Sequence, residues 1–158
     1  MKAATVSQLK KELSYRSPEE VLEICLRLSK FKKENKELLT YLLFESTDEA
    51  GYIESVKNEI DLEFENINTN TYYYIKKSVR KILRSIKKYS RYSQKKETEV
   101  ELLIYFCSKL KTFKPSISRN TTLMNLYKRQ LDLVEKIIST LHEDLQYDYR
   151  LELENLAN

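Results

Sequence analysis

The stretch that decides the fold of this chain is YYYIKKSVRKILRSIKKYSRY, residues 72–92. Its apolar positions alternate spacings of three and four residues, which is the period of an amphipathic α-helix. These positions are Tyr72, Ile75, Val79, Ile82, Ile86 and Tyr89. The pattern therefore predicts one long helix over this stretch.

The rest of the chain favours helices as well. Only Gly51, Pro18 and Pro115 are strong breakers, whereas β-sandwiches, β-barrels and nucleotide-binding α/β folds need many turn residues. Charged residues make up 33% of the chain and include many of the good helix formers Lys and Glu. A length of 158 residues is typical of one domain. We predict a single all-α domain over residues 1–158, either a bundle of about seven helices or a short α-solenoid-like stack of antiparallel helix pairs.

Six further helices are predicted around residues 72–92. The strongest start signal is Ser17-Pro18-Glu19-Glu20, with a serine N-cap, proline at the first helical position and a glutamate that closes a capping box. The third helix is apolar nearly all round, so we expect it to be central. Before residue 72 the predicted helices span 5–15, 18–32, 34–45 and 48–66. After residue 92 we predict a sixth helix that ends before Pro115 and a long last helix that begins at Asn120. The last helix has an apolar seam that continues to Leu145.

The sequence indicates a cytoplasmic protein that does not enter membranes. No window of about 18 uncharged apolar residues occurs, and the N-terminus has no apolar signal core. Cys25 and Cys107 each lie in an apolar helical stripe, where a free cysteine behaves as a small hydrophobic residue. A reducing compartment suits two such isolated thiols.

Most enzyme classes are unfavourable for this sequence. Phosphate-binding loops need several glycines, and the chain has one. His142 is the only histidine, so zinc sites built on two or three histidines cannot form. A Cys–His pair with Cys25 or Cys107 would require a cysteine that we expect to be buried. We therefore expect neither a cofactor nor enzymatic activity.

One enzymatic alternative rests on four acids. Glu20 and Glu23 are followed by Glu45 and Asp48, and residues three apart share a helical face. This Glu-x-x-Glu, Glu-x-x-Asp arrangement resembles that of the all-α nucleotide pyrophosphohydrolases. The resemblance implies carboxylate ligands for Mg²⁺ and hydrolysis of a phosphoanhydride. The competing interpretation is that Glu20 and Asp48 cap helices and that Glu23 pairs with Arg27 on the surface.

The most informative feature is the segregation of charge. No acid occurs between Glu65 and Glu97, and ten cations lie in that interval. Basic side chains beside exposed tyrosines suit a nucleic acid, because cations displace counterions from phosphates and rings stack on unpaired bases. The candidate binding residues are Lys76, Lys77, Arg80, Lys81, Arg84, Lys87, Lys88, Arg91, Tyr73 and Tyr92, with the ring of Tyr74 beside them.

A structural interpretation competes with binding. Residues 45–65 carry eight acids and one cation, and the short turn that follows would make the acidic and basic helices antiparallel neighbours. Each exposed ion pair between them would contribute at most about 1 kcal/mol and would mainly select the register. The basic residues would then need no ligand.

We expect this chain to act by binding another macromolecule. A protein partner or self-association comes first, because the last predicted helix offers a long apolar seam. Binding of nucleic acid through the basic helix is the alternative, and a magnesium-dependent pyrophosphohydrolase is third.

Overall fold

The computed structural model describes residues 1–158 and contains eight α-helices and no strand. The predicted all-α fold is confirmed. A short π-helical turn, Tyr41–Glu45, follows the third helix, and a 3₁₀ turn, Ile117–Arg119, precedes the seventh. The helices are α1 Val6–Ser14, α2 Pro18–Phe31, α3 Lys33–Thr40, α4 Glu49–Glu65, α5 Tyr72–Ser93, α6 Lys96–Thr112, α7 Thr121–Ile138 and α8 Glu143–Ala157.

The chain divides into two compact units, Met1–Phe44 and Glu45–Asn158. In the first unit, α2 and α3 pack against each other as a helical hairpin that α1 precedes. The second unit contains α4 to α8 and nearly all of the buried apolar residues. The expectation of a single domain stays a prediction.

Helix α6 is the centre of the second unit. It packs against α4, α5, α7 and α8, so apolar side chains are buried on every side of it. A helix that touches four others belongs to a bundle, since helices of a solenoid contact only their neighbours in the stack. The fully buried side chains on α6 include Val100, Leu102, Leu103, Phe106, Cys107 and Leu110.

The prediction that the third helix is central is wrong. Helix α3 covers only eight residues, four of which are charged. The apolar residues that suggested burial lie at its end and in the π-helical turn, where Leu43 and Phe44 are 63% and 73% exposed. An apolar run is buried only if enough elements surround it, and the first unit offers two other helices.

The prediction of one long last helix is also wrong, because the chain breaks between α7 and α8 at residues 139–142. Hydroxyls compete there with the helix: Ser139 Oγ donates to the Lys136 carbonyl at 2.6 Å, and Thr140 Oγ1 donates to the Ile137 carbonyl at 2.7 Å. His142 Nδ1 then accepts from the Asp144 N–H at 3.3 Å and caps α8. The continuous apolar seam is therefore absent.

The local signals at helix ends are confirmed. Ser17 and Glu20 form the capping box of α2, with the Glu20 carboxylate accepting from the Ser17 N–H at 3.0 Å. Gly51, which looked like a breaker, lies inside the first turn of α4, where a Cβ would stand 2.3 Å from the capping carboxylate of Asp48. The lack of a side chain at this position therefore makes room for the cap.

None of the eight helices combines the length and apolar character needed to cross a bilayer.

Candidate polyanion-binding surface on helix α5

Helix α5 has two basic flanks, one on each side of its buried stripe. Spacings of three and four residues place Tyr73, Lys76, Lys77, Arg80, Arg84 and Lys87 on one flank. Lys81 and Lys88 lie on the other. Ile75, Val79, Ile82 and Ile86 between them are at most 1% exposed and hold the helix against the bundle.

The first flank forms a groove of about 740 Å³ along the helix, which we call the basic groove. Its lining contains five cations and no carboxylate. Leu83, which is 8% exposed, lies among them. None of the five cations has an ion pair within the chain. The groove is lined by Tyr73, Lys76, Lys77, Arg80, Leu83, Arg84 and Lys87.

The second flank faces the acidic helix α4. Tyr52 near the start of α4 donates from its hydroxyl to the Tyr89 carbonyl at 2.9 Å, and Tyr89 donates to Glu59 at 2.8 Å. Burial raises the pKa of Glu63, as does the nearby Glu59, whereas Lys81 and Lys88 act in the opposite direction. These contacts confirm that α4 and α5 run antiparallel, and they place both lysines close to carboxylates.

Two other acids of α4, Asp61 and Glu54, have partners away from the basic groove. Asp61 pairs with Lys109 of α6 at 2.7 Å and accepts from the Tyr105 hydroxyl at 2.7 Å. Burial opposes ionisation of Asp61, but the hydrogen bonds from Lys109 and Tyr105 outweigh burial and lower its pKa. Glu54 pairs with Lys57 at 3.0 Å within α4. The predicted neutralisation of the basic helix by the acidic helix is therefore confined to the Lys81 and Lys88 flank.

The cations after α5 also have partners inside the chain. Lys95 lies 3.4 Å from Glu49, whose carboxylate also accepts hydrogen bonds from the hydroxyls of Ser93 and Thr98. Lys96 donates to the Thr140 hydroxyl at 3.2 Å. Glu49 thus holds the junction between α5 and α6, a role that the sequence did not suggest.

Two of the predicted aromatic residues lie at the surface and one does not. Tyr73 is 66% exposed and Tyr74 45% exposed, and their rings meet edge to face at 5.4 Å. Tyr92 is only 9% exposed, and its ring packs on Tyr89 at 6.0 Å beside the reversal into α6. The interpretation of Tyr92 as a stacking residue is therefore wrong. Arg91 is exposed, beyond the last residue of the basic groove.

Two of the four acids of the magnesium hypothesis, Glu20 and Asp48, cap helices, and the other two, Glu23 and Glu45, make no ion pair within the chain. Glu20 closes the capping box and lies 4.0 Å from Arg16, and Asp48 accepts from the Gly51 N–H at 3.0 Å. Glu23 makes no ion pair with Arg27, in contrast to the expected surface pair. No group of three or more His, Cys, Asp or Glu side chains is placed to hold a metal ion.

The cysteines differ from each other in exposure. Cys107 is fully buried, as predicted, and burial raises the pKa of its thiol to about 12. A nucleophile needs the thiolate, so Cys107 is unsuited to that role. Cys25, which we also expected to be buried, is partly exposed instead, because it lines an open apolar groove between α2 and α3.

Neither a protein-family model, nor a curated protein, nor a solved structure matches this chain.

Proposed function

We propose that this chain binds single-stranded nucleic acid through the basic groove on α5. The observation that supports this proposal is a row of five cations that face no carboxylate and keep no ion pair within the chain. Such cations meet phosphates without first breaking an internal ion pair. They also release the counterions of the nucleic acid, which is the main driving force of this kind of binding.

The dimensions of the groove suit a nucleic acid strand. From Tyr73 to Lys87 the helix rises about 21 Å, at about 1.5 Å per residue. A stacked strand carries one phosphate per about 3.4 Å, so about six phosphates lie along the groove. Tyr73 and Tyr74 stand at one end with exposed rings, and such rings stack on unpaired bases of any sequence. A duplex would leave the rings without a base face, which favours a single strand.

A membrane surface is the main competing polyanion. Helices that lie in a lipid interface insert exposed Trp, Phe or Leu beside their cations. In the basic groove the only aliphatic side chain is Leu83, which is nearly buried. The groove therefore offers charge to a lipid headgroup but no apolar side chain to the acyl region.

The proposal is tested by fluorescence anisotropy with a labelled 20-nucleotide RNA and the matching DNA, both of mixed sequence. We expect binding at 50 mM salt and a loss of at least about tenfold in affinity for the double variant Lys76→Gln, Arg84→Gln. The matched control is Lys128→Gln, Arg129→Gln on α7, which removes two exposed cations that also lack ion pairs. We expect this control to keep the affinity within about twofold of the original, because its two cations lie on α7 and do not line the groove, and salt screens the field of exposed charges.

Two competition measurements with the same labelled strand identify the polyanion. Unlabelled duplex of the same sequence competes weakly, and vesicles with 30% anionic lipid do not compete. No binding at 50 mM salt, equal losses in the two double variants, or stronger competition by vesicles than by single strands would each overturn the proposal.

A further inference from the structure

The first unit, Met1–Phe44, has almost no core of its own. Fourteen of the nineteen exposed large hydrophobic residues lie in it, whereas only one of the buried apolar residues, Tyr41, does. A unit of this size usually needs disulfides, a metal or association to be stable. It contains a single cysteine, and no metal-binding group of side chains is present. Association is the remaining source of stability among these.

The helical hairpin offers a shaped surface for association. An apolar groove of about 250 Å³ lies between α2 and α3, lined by Cys25, Leu28, Leu38, Leu39 and Leu42 with two polar residues. Phe31 at the end of α2 is 76% exposed, and Leu28 is 57% exposed. Ile24, Leu28 and Phe31 follow spacings of four and three and therefore share one face. This is the kind of surface that receives the apolar face of a helix.

The exposed apolar area on the hairpin is sufficient for a stable interface. Five exposed apolar residues lie on the Ile24–Leu28–Phe31 face or line the groove, and together they present on the order of 400–500 Å², at about 150–200 Å² for each fully exposed side chain. Each partner in a standard protein interface contributes about 800 Å², of which about 57% is apolar, so the apolar area on this side of the hairpin is of the right size. The five residues are Ile24, Leu28, Phe31, Leu38 and Leu42.

The charges on α2 indicate which partner fits. Glu19, Glu20 and Glu23 lie in its first half, and Arg27 and Lys30 lie in its second half. Two copies of such a helix packed antiparallel bring the acidic half of each beside the basic half of the other. Glu23 and Arg27 share one edge of the apolar face and have no ion pair within the chain.

We propose that a second copy of this chain docks on the α2–α3 hairpin, with the two α2 helices antiparallel about a two-fold axis. The axis repeats every contact, so the apolar face of each α2 enters the groove of the partner. The edge pair formed by Glu23 of one copy and Arg27 of the other also occurs twice. This association is independent of the basic groove and does not rest on nucleic acid binding.

The experiment uses charge reversal in the full chain, read by sedimentation equilibrium. The variant Glu23→Arg alone carries only cations at the two edge positions, and Arg27→Glu alone carries only acids. We expect each to dimerise at least about tenfold more weakly, since two edge pairs become repulsive. An equimolar mixture of the two variants, and the double variant in one chain, restore the dimer. Restoration in the mixture cannot arise from misfolding.

A second pair of variants tests the apolar contact. Leu28→Asp abolishes the dimer, whereas Leu62→Asp on α4, at a position of nearly equal exposure, leaves it intact. Alkylation of Cys25 slows as the dimer forms, because Cys25 lines the occupied groove. A strict monomer up to several hundred micromolar, or a dimer that responds equally to the two aspartate variants, would overturn the proposal. So would association only with a different protein.

Discussion

If the basic groove binds nucleic acid as proposed, the salt dependence of the affinity measures how many of its cations meet phosphates. Five cations line the groove. For a single strand the logarithm of the affinity falls with the logarithm of salt by about 0.7 per neutralised phosphate, so the expected slope is about −3.5. Raising salt from 50 to 200 mM then weakens binding by about 100-fold. Removal of Lys76 and Arg84 lowers the count to three, which gives a slope of about −2 and a loss of about 20-fold over the same range.

Anisotropy titrations at four salt concentrations provide both slopes, with the Lys128→Gln, Arg129→Gln variant as the control for net charge. The control should keep the slope of the unaltered chain, because its two cations lie on α7. The slope is more informative than a single affinity, since it counts contacts and does not depend on how strong each contact is. A slope between −1 and 0 for the unaltered chain, or one that the groove substitutions leave unchanged, refutes the reasoning that these cations act as a row.

Three further predictions concern the second unit and the thiols. Leu103→Ala should lower the free energy of unfolding, measured in urea, by about 3 kcal/mol, because the Leu103 side chain is fully buried on α6. Leu62→Ala, at a site that is 59% exposed, should lower it by less than about 1 kcal/mol. Equal losses in the two variants would contradict the central position of α6. In dilute native protein one thiol, Cys25, should react with iodoacetamide, and Cys107 should react only in denaturant, since it is buried and burial raises its pKa to about 12; two equally fast thiols would be inconsistent with this burial. The melting temperature should fall between pH 10 and 12, because burial above all raises the pKa of Tyr149 to about 12 in the folded protein. The unfolded chain loses this proton near pH 10, so the stabilisation is complete below pH 10 and is lost as the pH rises towards 12; a constant melting temperature up to pH 12 would contradict it.

Helices with local signals could be predicted closely from the sequence. The apolar period from Tyr72 to Tyr89 defined α5, and Ser17 with Glu20 defined the start of α2, because both depend on residues within a few positions of each other. The central helix could not be identified in the same way. Both the α3 region and α6 are rich in apolar residues, and only the number of surrounding helices separates them. The break at Ser139 has neither glycine nor proline and depends on hydroxyl hydrogen bonds.

The candidate site was predicted in part. The acid-free segment identified the basic helix, but its division into two flanks depends on which side α4 covers. The sequence predicted one basic surface on this helix, whereas the separate row of cations from Tyr73 to Lys87 and the engagement of Asp61 by α6 became apparent only in the structure. The burial of Tyr92 could not be predicted from the sequence either, since it depends on packing at the end of α5.

Because the cations of the basic groove have no partner within the chain, the fold does not depend on them. Exposed substitutions of this kind usually change stability by less than about 0.5 kcal/mol. We therefore expect that Lys77, Arg80 or Lys87 can be exchanged one at a time, each with a graded effect on the proposed affinity for nucleic acid and almost none on the melting temperature. The strength of the proposed binding could thus be adjusted in small steps without a compensating change in the core.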